Sequence, residues 1–136
     1  MPFVLDSSVV LAWLLPDENS DAADKIAATL ETDVAAVPPI WPFEVCNALL
    51  MAQRRGRIPD GEIARLAAAL SVLPIEVVQG TVATSIAPLA GLARRLGLTA
   101  YDASYVDLAK RRSLPLATLD TRLRAACEQE GVRVLP

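Results

Sequence analysis

Four acidic residues lie at the ends of predicted strands or at the starts of predicted helices, where a purely structural acid is not expected. Asp6 and Asp120 each follow a short apolar run, while Glu44 and Asp102 fall in the first turns of predicted helices. Carboxylates that share one cavity repel strongly at low dielectric constant, so a cluster of four implies a bound cation. An all-oxygen ligand set favours Mg²⁺ or Mn²⁺. The four acids therefore predict a divalent-metal site, provided that the fold brings them together.

Each acid also has a structural interpretation when it is taken alone. Asp6 precedes a helical pattern, and Asp is a common N-cap, so this stretch by itself favours a capping role. Asp102 and Glu44 lie where an acidic side chain interacts favourably with the helix dipole. Four acids in this order are harder to explain as four independent caps.

The elements that must position these acids alternate along the chain. Short apolar runs predict strands at 3–5, 34–37, 75–78, 116–118 and 132–135, with helical patterns between them. Ser20 and Thr99 are predicted N-caps, Gly97 is a predicted C-cap, and Pro88 is expected to kink or split one helix. The alternation predicts an α/β fold with a parallel sheet flanked by helices. If the first and fourth strands are neighbours, Asp6 and Asp120 share one sheet edge.

Length and composition bound the class of protein. The chain has 136 residues, of which 53% are hydrophobic, so we expect one domain with a well-buried sheet. The longest apolar run, residues 9–15, is far shorter than the roughly 20 residues of a membrane span, and we expect neither a membrane segment nor a signal peptide. Cys46 and Cys127 are the only cysteines and histidine is absent, which argues against zinc. Both thiols are expected to be free and packed as small hydrophobes, in the cytoplasm.

The net charge of −3 conceals an asymmetry. The first 50 residues carry eight acids and one base, and the remainder carries twelve bases and eight acids. The bases form clusters that can bind phosphates: Arg54, Arg55 and Arg57; Arg94 and Arg95; Lys110, Arg111 and Arg112; Arg122 and Arg124. For each cluster alone, a solvated helix end remains the favoured interpretation.

Four short motifs together resemble one family. They are Val4-Leu5-Asp6-Ser7-Ser8, Glu44-Val45-Cys46-Asn47-Ala48-Leu49, Leu98-Thr99-Ala100-Tyr101-Asp102-Ala103 and Thr118-Leu119-Asp120-Thr121-Arg122-Leu123. In this order the chain resembles a PIN domain, specifically a VapC-type ribonuclease toxin of a toxin–antitoxin pair. The resemblance spans the whole chain and implies a single PIN domain over residues 1–136. It also implies a three-layer α/β/α sandwich whose five-stranded parallel sheet has the order 3-2-1-4-5.

The resemblance assigns roles to particular residues. It implies that the acidic metal-binding and catalytic set is Asp6, Glu44, Asp102 and Asp120, with Ser8 and Thr118 in support. The expected activity is Mg²⁺- or Mn²⁺-dependent endoribonuclease cleavage of RNA by metal-activated water, since the chain offers no histidine as a base. An antitoxin partner and a homodimer are also expected. We predict that Arg54, Arg55 and Arg57 bind the RNA backbone.

Two other functions and one residue stay open at this stage. An inactive PIN-fold module that only docks RNA or protein is the alternative of a different class. A haloacid-dehalogenase-type phosphatase requires a second Asp at the position where this chain has Ser8, which argues against that function. Asp107 lies five residues after Asp102, roughly 140° around a helix that turns about 100° per residue. Either Asp107 is a surface or supporting acid or the helix bends, and the surface is favoured.

Overall fold

Five short parallel strands form the centre of the computed structural model, which describes residues 1–18 and 20–136, with the backbone alone at 82–84. The strands are β1 (Phe3–Leu5), β2 (Ala35–Val37), β3 (Ile75–Val77), β4 (Leu116–Ala117) and β5 (Val134–Leu135). Their order in the sheet is β3-β2-β1-β4-β5, and every pairing is parallel. The predicted fold class and strand order are confirmed.

The pairing of β1 with β4 decides what meets at the carboxyl edge. Val4 pairs with Leu116 and Leu5 with Ala117, and the Asp6 amide then donates to the Ala117 carbonyl at 3.0 Å. The residues that follow the two strands therefore emerge side by side. The carboxyl edge of a parallel sheet is the place where α/β proteins bind their ligands.

Seven helices cover the described parts of the sheet. They are α1 (Ser7–Leu14), α2 (Asp21–Thr29), α3 (Trp41–Arg54), α4 (Glu62–Ser71), α5 (Val82–Leu96), α6 (Ala100–Arg112) and α7 (Thr121–Gln129). Ser20 accepts from the Ala23 amide at 3.2 Å and Thr99 from the Asp102 amide at 3.1 Å, so both predicted N-caps are confirmed. Gly97 ends α5 with a φ of +66°, a backbone conformation that suits glycine.

Of the two outcomes expected at Pro88, the structure excludes the split. The helix α5 runs unbroken from Val82 to Leu96. Pro88 is exposed, and at a helix surface a carbonyl that loses its amide donor can be hydrated by water.

The core lies on both faces of the central strand. Phe3, Val4 and Leu5 are all buried, as expected for a strand covered by helices on each side. The buried face of α6, which includes Tyr105 and Val106, packs against β1. No helix in the described ranges has both the length and the apolar character that a membrane crossing requires.

The two cysteines are free but differ in environment. Cys127 is buried, and burial raises the pKa of its thiol to about 11. Cys46 is exposed on α3, so the expectation that both cysteines are packed is correct only for Cys127. The exposure of Cys46 follows from helix geometry, because successive residues of α3 are about 100° apart and Cys46 therefore leaves the buried face that includes Val45.

Candidate active site

Asp6 is a buried carboxylate held by two hydroxyl groups. Its side chain is 5% exposed, and its Oδ2 accepts hydrogen bonds from Ser8 Oγ at 2.6 Å and from Thr118 Oγ1 at 2.8 Å. Asp6 occupies the N-cap position of α1, yet its side chain makes no capping hydrogen bond. The capping interpretation of this side chain is therefore wrong, since its hydrogen bonds run to hydroxyl groups rather than to the helix.

Burial and like charges act together on Asp6. Burial raises the pKa of its carboxyl most, the Ser8 and Thr118 hydroxyls lower it, and the charges of Asp120 and Asp102 raise it further. Among the described residues, no basic side chain figures in these causes. The site thus keeps a carboxylate in a poorly solvated place without a protein counter-ion, a pattern that is typical of functional sites.

Asp120 is fixed by the start of α7. Its Oδ1 caps that helix by accepting from the amides of Arg122 at 2.8 Å and Leu123 at 3.2 Å. Its own amide donates to Thr118 Oγ1 at 3.0 Å. Thr118 therefore links Asp6 and Asp120. Asp120 is an N-cap and a candidate ligand at once, because one carboxylate has two oxygens.

Ser8 makes a second link between α1 and the end of β4. Its Oγ donates to Asp6 and accepts from the Leu119 amide at 3.1 Å. Ser8 and Thr118 thus lie where the family resemblance implies supporting side chains, and each hydroxyl uses its donor on Asp6 and its acceptor on the backbone after β4. These bonds fix which way the Asp6 carboxylate faces.

Glu44 reaches the same region from the first turn of α3. It is half-buried, and Tyr105 of α6 donates its hydroxyl proton to Glu44 Oε1. Burial raises the pKa of Glu44 most, the Tyr105 hydrogen bond lowers it, and the charges of Asp6 and Asp102 raise it. A side-chain hydrogen bond with Ser7 lowers it as well. Glu44 is therefore held in place by two neighbours from different helices.

Sequence reasoning missed Tyr105 and Ser7. Tyr105 is fully buried, and burial together with Glu44 raises the pKa of its phenol. A signal for it existed: Tyr105 lies three residues after Asp102 on α6, on the neighbouring turn of the same face. A buried tyrosine hydroxyl needs a partner, and a nearby acid is a natural acceptor. Ser7 carried no such signal, since its role depends on how α1 packs against α3.

Asp102 completes the set from the first turn of α6. It is half-buried, and burial followed by the charge of Asp120 raises the pKa of its carboxyl. The charge of Arg122 and the hydrogen bond with Thr99 lower it. Arg122 is thus a cation that acts on the acidic cluster.

The four acids interact, but they are not in coordination contact. Each acts on the pKa of at least one other or is acted on by it, which joins Asp6, Glu44, Asp102 and Asp120 in one electrostatic cluster. Within the described residues, however, no group of three or more acidic or cysteine side chains is arranged to hold a metal ion. Mutual repulsion favours rotamers that separate uncompensated carboxylates. The carboxylate oxygens of these four acids still fit a hard divalent cation, which would offset the repulsion.

Asp107 lies apart from these acids. It is half-buried and accepts a hydrogen bond from Arg111 Nε, four residues on along α6, at 2.8 Å. It is not among the groups that shift the pKa of Asp6, Glu44 or Asp102. The favoured surface position is only partly met, because Asp107 is half-buried and paired with Arg111.

The predicted RNA-binding arginines lie away from the acids. Arg54 follows Glu44 by ten residues on α3, which places it ~15 Å along the helix axis. Arg57 binds Asp17 through Nε at 2.9 Å and Nη2 at 2.7 Å, and also binds Glu18 at 2.9 Å. Its charge is therefore already engaged. Arg122 and Arg124 begin α7 beside Asp120, and Arg124 Nη2 reaches the Thr118 carbonyl at 3.5 Å.

Comparison of the chain with known proteins identifies its family. The PIN domain family matches residues 3–129. The chain is similar to Ribonuclease VapC3 of Pyrobaculum aerophilum, with 32% identity over 127 residues that cover 90% of this chain and 92% of the relative.

Two solved structures share the fold. One is the crystal structure of PAE2754 from Pyrobaculum aerophilum, with a TM-score of 0.73 and 23% identity, covering 98% of this chain and 89% of that one. The other is VapBC2 from Rickettsia felis bound to a DNA fragment from their promoter, with a TM-score of 0.67 and 12% identity, covering 98% and 97%. The family match and the 32% identical relative show that the chain belongs to the PIN domain family.

Proposed function

We propose that the chain is a divalent-metal-dependent endoribonuclease and the toxin of a type II toxin–antitoxin pair. The observation that carries the proposal is the electrostatic cluster of four carboxylates around the buried, hydroxyl-bound Asp6. Membership of the PIN domain family and the similarity to a relative named as a ribonuclease support the same activity.

The residues that would hold Mg²⁺ or Mn²⁺ are Asp6, Glu44, Asp102 and Asp120. When bound, such an ion activates water and neutralises charge that develops on the phosphodiester. The recorded bonds of Asp6 and Asp120 each engage one carboxylate oxygen, Oδ2 in Asp6 and Oδ1 in Asp120. The second oxygen of each carboxylate is the one we assign to the ion.

The rest of the chain positions these ligands and the substrate. Ser8 and Thr118 orient Asp6, and Tyr105 orients Glu44, so these hydroxyl groups would support the two carboxylates as ligands. We assign the RNA backbone to Arg122 and Arg124, because they lie next to Asp120, whereas Arg54 and Arg55 lie at the far end of α3. The contribution of Arg54, Arg55 and Arg57 remains a prediction.

The proposed partners follow from the family. We propose an antitoxin encoded beside this chain, assembly as a homodimer, and action on RNA in the cytoplasm. Co-expression of the neighbouring gene with the tagged chain tests the first partner. We expect a stable complex in which RNA cleavage is suppressed, and active chain that binds no such product would indicate a solitary nuclease.

Cleavage assays with an acid removed test the activity itself. The purified chain is incubated with RNA in Mg²⁺, in Mn²⁺ and in EDTA, beside Asp6→Asn and the control Asp24→Asn, which alters an exposed acid of α2. We expect cleavage by wild type and Asp24→Asn in either metal, and a loss of about a hundredfold or more in Asp6→Asn, since it removes a ligand and its charge.

Two outcomes would contradict the proposal. Wild-type rates in homogeneous, folded Asp6→Asn would remove Asp6 from the catalytic set. Binding of RNA by wild type without cleavage in any metal would favour the inactive PIN-fold module instead.

A further inference from the structure

Arg122 contacts two segments that carry acids of the cluster. Its backbone amide donates to Asp120 Oδ1 at 2.8 Å, and its guanidinium Nη2 donates to the Gly97 carbonyl at 3.4 Å. Gly97 lies two residues before Thr99, the N-cap of α6, whose hydroxyl accepts from the Asp102 amide. Arg122 therefore extends from the start of α7, next to Asp120, to the turn that leads into Asp102.

The charge of Arg122 acts on the acids that this position brings near. Burial and the charge of Asp120 raise the pKa of the Asp102 carboxyl, and the charge of Arg122 lowers it. No basic side chain of the described residues is recorded as a cause of the raised pKa values of Asp6 and Glu44. Within the part of the chain that the structure describes, Arg122 is thus the base that offsets acidic charge at these three carboxylates.

The guanidinium of Arg122 is not engaged in a structural ion pair. Five other arginines bind carboxylates directly: Arg57, Arg65, Arg95, Arg111 and Arg112. Arg122 forms no such pair with an acid among the described residues, and its side chain is exposed. Its one recorded side-chain bond engages one of five N–H donors. A planar guanidinium with free donors matches the oxygens of a phosphate.

We propose that Arg122 is the cation through which the acidic site holds the RNA phosphate, and that its charge opposes the binding of the divalent ion. The inference rests on the proposed function and gives Arg122 a role there that Arg124 does not share. Because like charges repel, an ion at the acids binds against the field of the guanidinium, whereas the phosphodiester is attracted by it. Arg122 therefore weakens the binding of metal and strengthens the binding of substrate.

Metal affinity tests the first half of the proposal without any cleavage. Calorimetry measures the titration of Mn²⁺ into metal-free wild type, Arg122→Gln and Arg122→Lys. We expect Arg122→Gln to bind Mn²⁺ about three- to tenfold more tightly than wild type, the size of a screened charge–charge interaction near a protein surface. Arg122→Lys keeps the charge and should bind as wild type. The gain in Arg122→Gln should shrink when KCl is raised, because salt screens exposed charges.

Arg124 provides the matched control for metal affinity. It lies two residues further along α7, and its Nη2 reaches the Thr118 carbonyl at 3.5 Å. Burial raises the pKa of Cys127 most and the charge of Arg124 lowers it, whereas Arg124 is not a recorded cause of the pKa shifts of the acids. Arg124→Gln removes the same charge from the chain and should leave Mn²⁺ affinity unchanged. Circular dichroism verifies that each variant is folded.

Cleavage at saturating Mn²⁺ tests the second half of the proposal. Arg122→Gln should cleave an RNA substrate about tenfold more slowly although it binds the metal more tightly, because it loses a charge-assisted hydrogen bond to the phosphate. Arg122→Lys should recover part of the rate, since an ammonium keeps the charge but lacks the planar fork. Arg65→Gln changes an exposed arginine of α4 and should cleave as wild type.

The outcomes separate this inference from the proposed function. If Arg122→Gln binds Mn²⁺ no more tightly than wild type, its side chain only ties two segments together, and the inference is wrong while the nuclease stands. Equal tightening in Arg124→Gln would assign the effect to net charge and overturn the role of Arg122. Tighter metal binding with undiminished cleavage would overturn its contact with the phosphate. If wild type neither binds Mn²⁺ nor cleaves RNA, the proposed function and this inference fail together.

Discussion

Two aspartates bracket α1, and their surroundings are opposite. Asp6 precedes the helix, is buried, and has the pKa of its carboxyl raised by burial and by neighbouring acids. Asp17 follows the helix, is exposed, and has its pKa lowered by the hydrogen bond from Arg57. The protein thus compensates the charge of Asp17 and leaves that of Asp6 without a basic partner among the described residues. The charge of a structural acid is neutralised by basic neighbours. An acid whose ionised form is disfavoured by its surroundings instead needs a cation from outside the chain.

The largest difference between the two aspartates should appear when metal is added. A ligand of the native state stabilises a protein by RT ln(1 + [L]/Kd), about 2.7 kcal/mol at a hundredfold excess over Kd. We expect Mg²⁺ or Mn²⁺ to raise the unfolding temperature of wild type and of Asp17→Asn alike, and to raise that of Asp6→Asn much less. Thermal unfolding in EDTA and in millimolar metal measures this. An equal metal response in all three proteins would mean that Asp6 is no ligand.

Removing the hydrogen-bond partner of each aspartate should affect metal affinity differently. Thr118→Val keeps the shape of the side chain but removes the hydroxyl that binds Asp6 and accepts from the Asp120 amide. Loss of such a supporting bond typically costs 10–100-fold in metal affinity, so we expect roughly that loss. Arg57→Gln removes the partner of Asp17 and should leave metal affinity unchanged. Titration of Mn²⁺ by calorimetry compares them, and a Thr118→Val affinity equal to wild type would contradict the supporting role.

The smallest effect expected is on stability against pH without metal. A raised pKa in the folded state means that stability is greatest below the ordinary aspartate range and falls as pH rises through the raised value. Asp6→Asn removes this loss, so in EDTA near neutral pH we expect a gain on the order of 1 kcal/mol that disappears on acidification. Asp17 has a lowered pKa, so its contribution is present at neutral pH and lost as pH falls, and Asp17→Asn should not gain.

Denaturant unfolding of the metal-free proteins between pH 3 and pH 8 measures both curves. The comparison would break if Asp6→Asn were less stable than wild type in EDTA at neutral pH, because Asp6 would then be a stabilising group like Asp17.

Local signals in the sequence were enough for most of the secondary structure. The runs around Val4 and Leu116 and the caps at Ser20 and Thr99 act over a few residues, where side-chain branching and hydrogen bonding to the nearest amides decide the backbone conformation. The sequence left open whether Pro88 kinks or splits its helix, because the cost of proline in a helix depends on whether water reaches the freed carbonyl, and that is a property of the surface. The four acids were recognisable because they stand at the ends of such local elements.

Only the tertiary structure decided which side chains pair with those charged groups. Thr118 lies 112 residues from Asp6 in the chain, Tyr105 lies 61 residues from Glu44, and Arg57 lies 40 residues from Asp17. No local pattern specifies such pairs, because they arise from the order of the strands and the packing of the helices on them. The sequence by itself determined which acids stand at the ends of strands and helices. The adjacency of β1 and β4 decided that Asp6 shares a hydroxyl with Asp120, and helix packing decided that Arg57 is bound to Asp17.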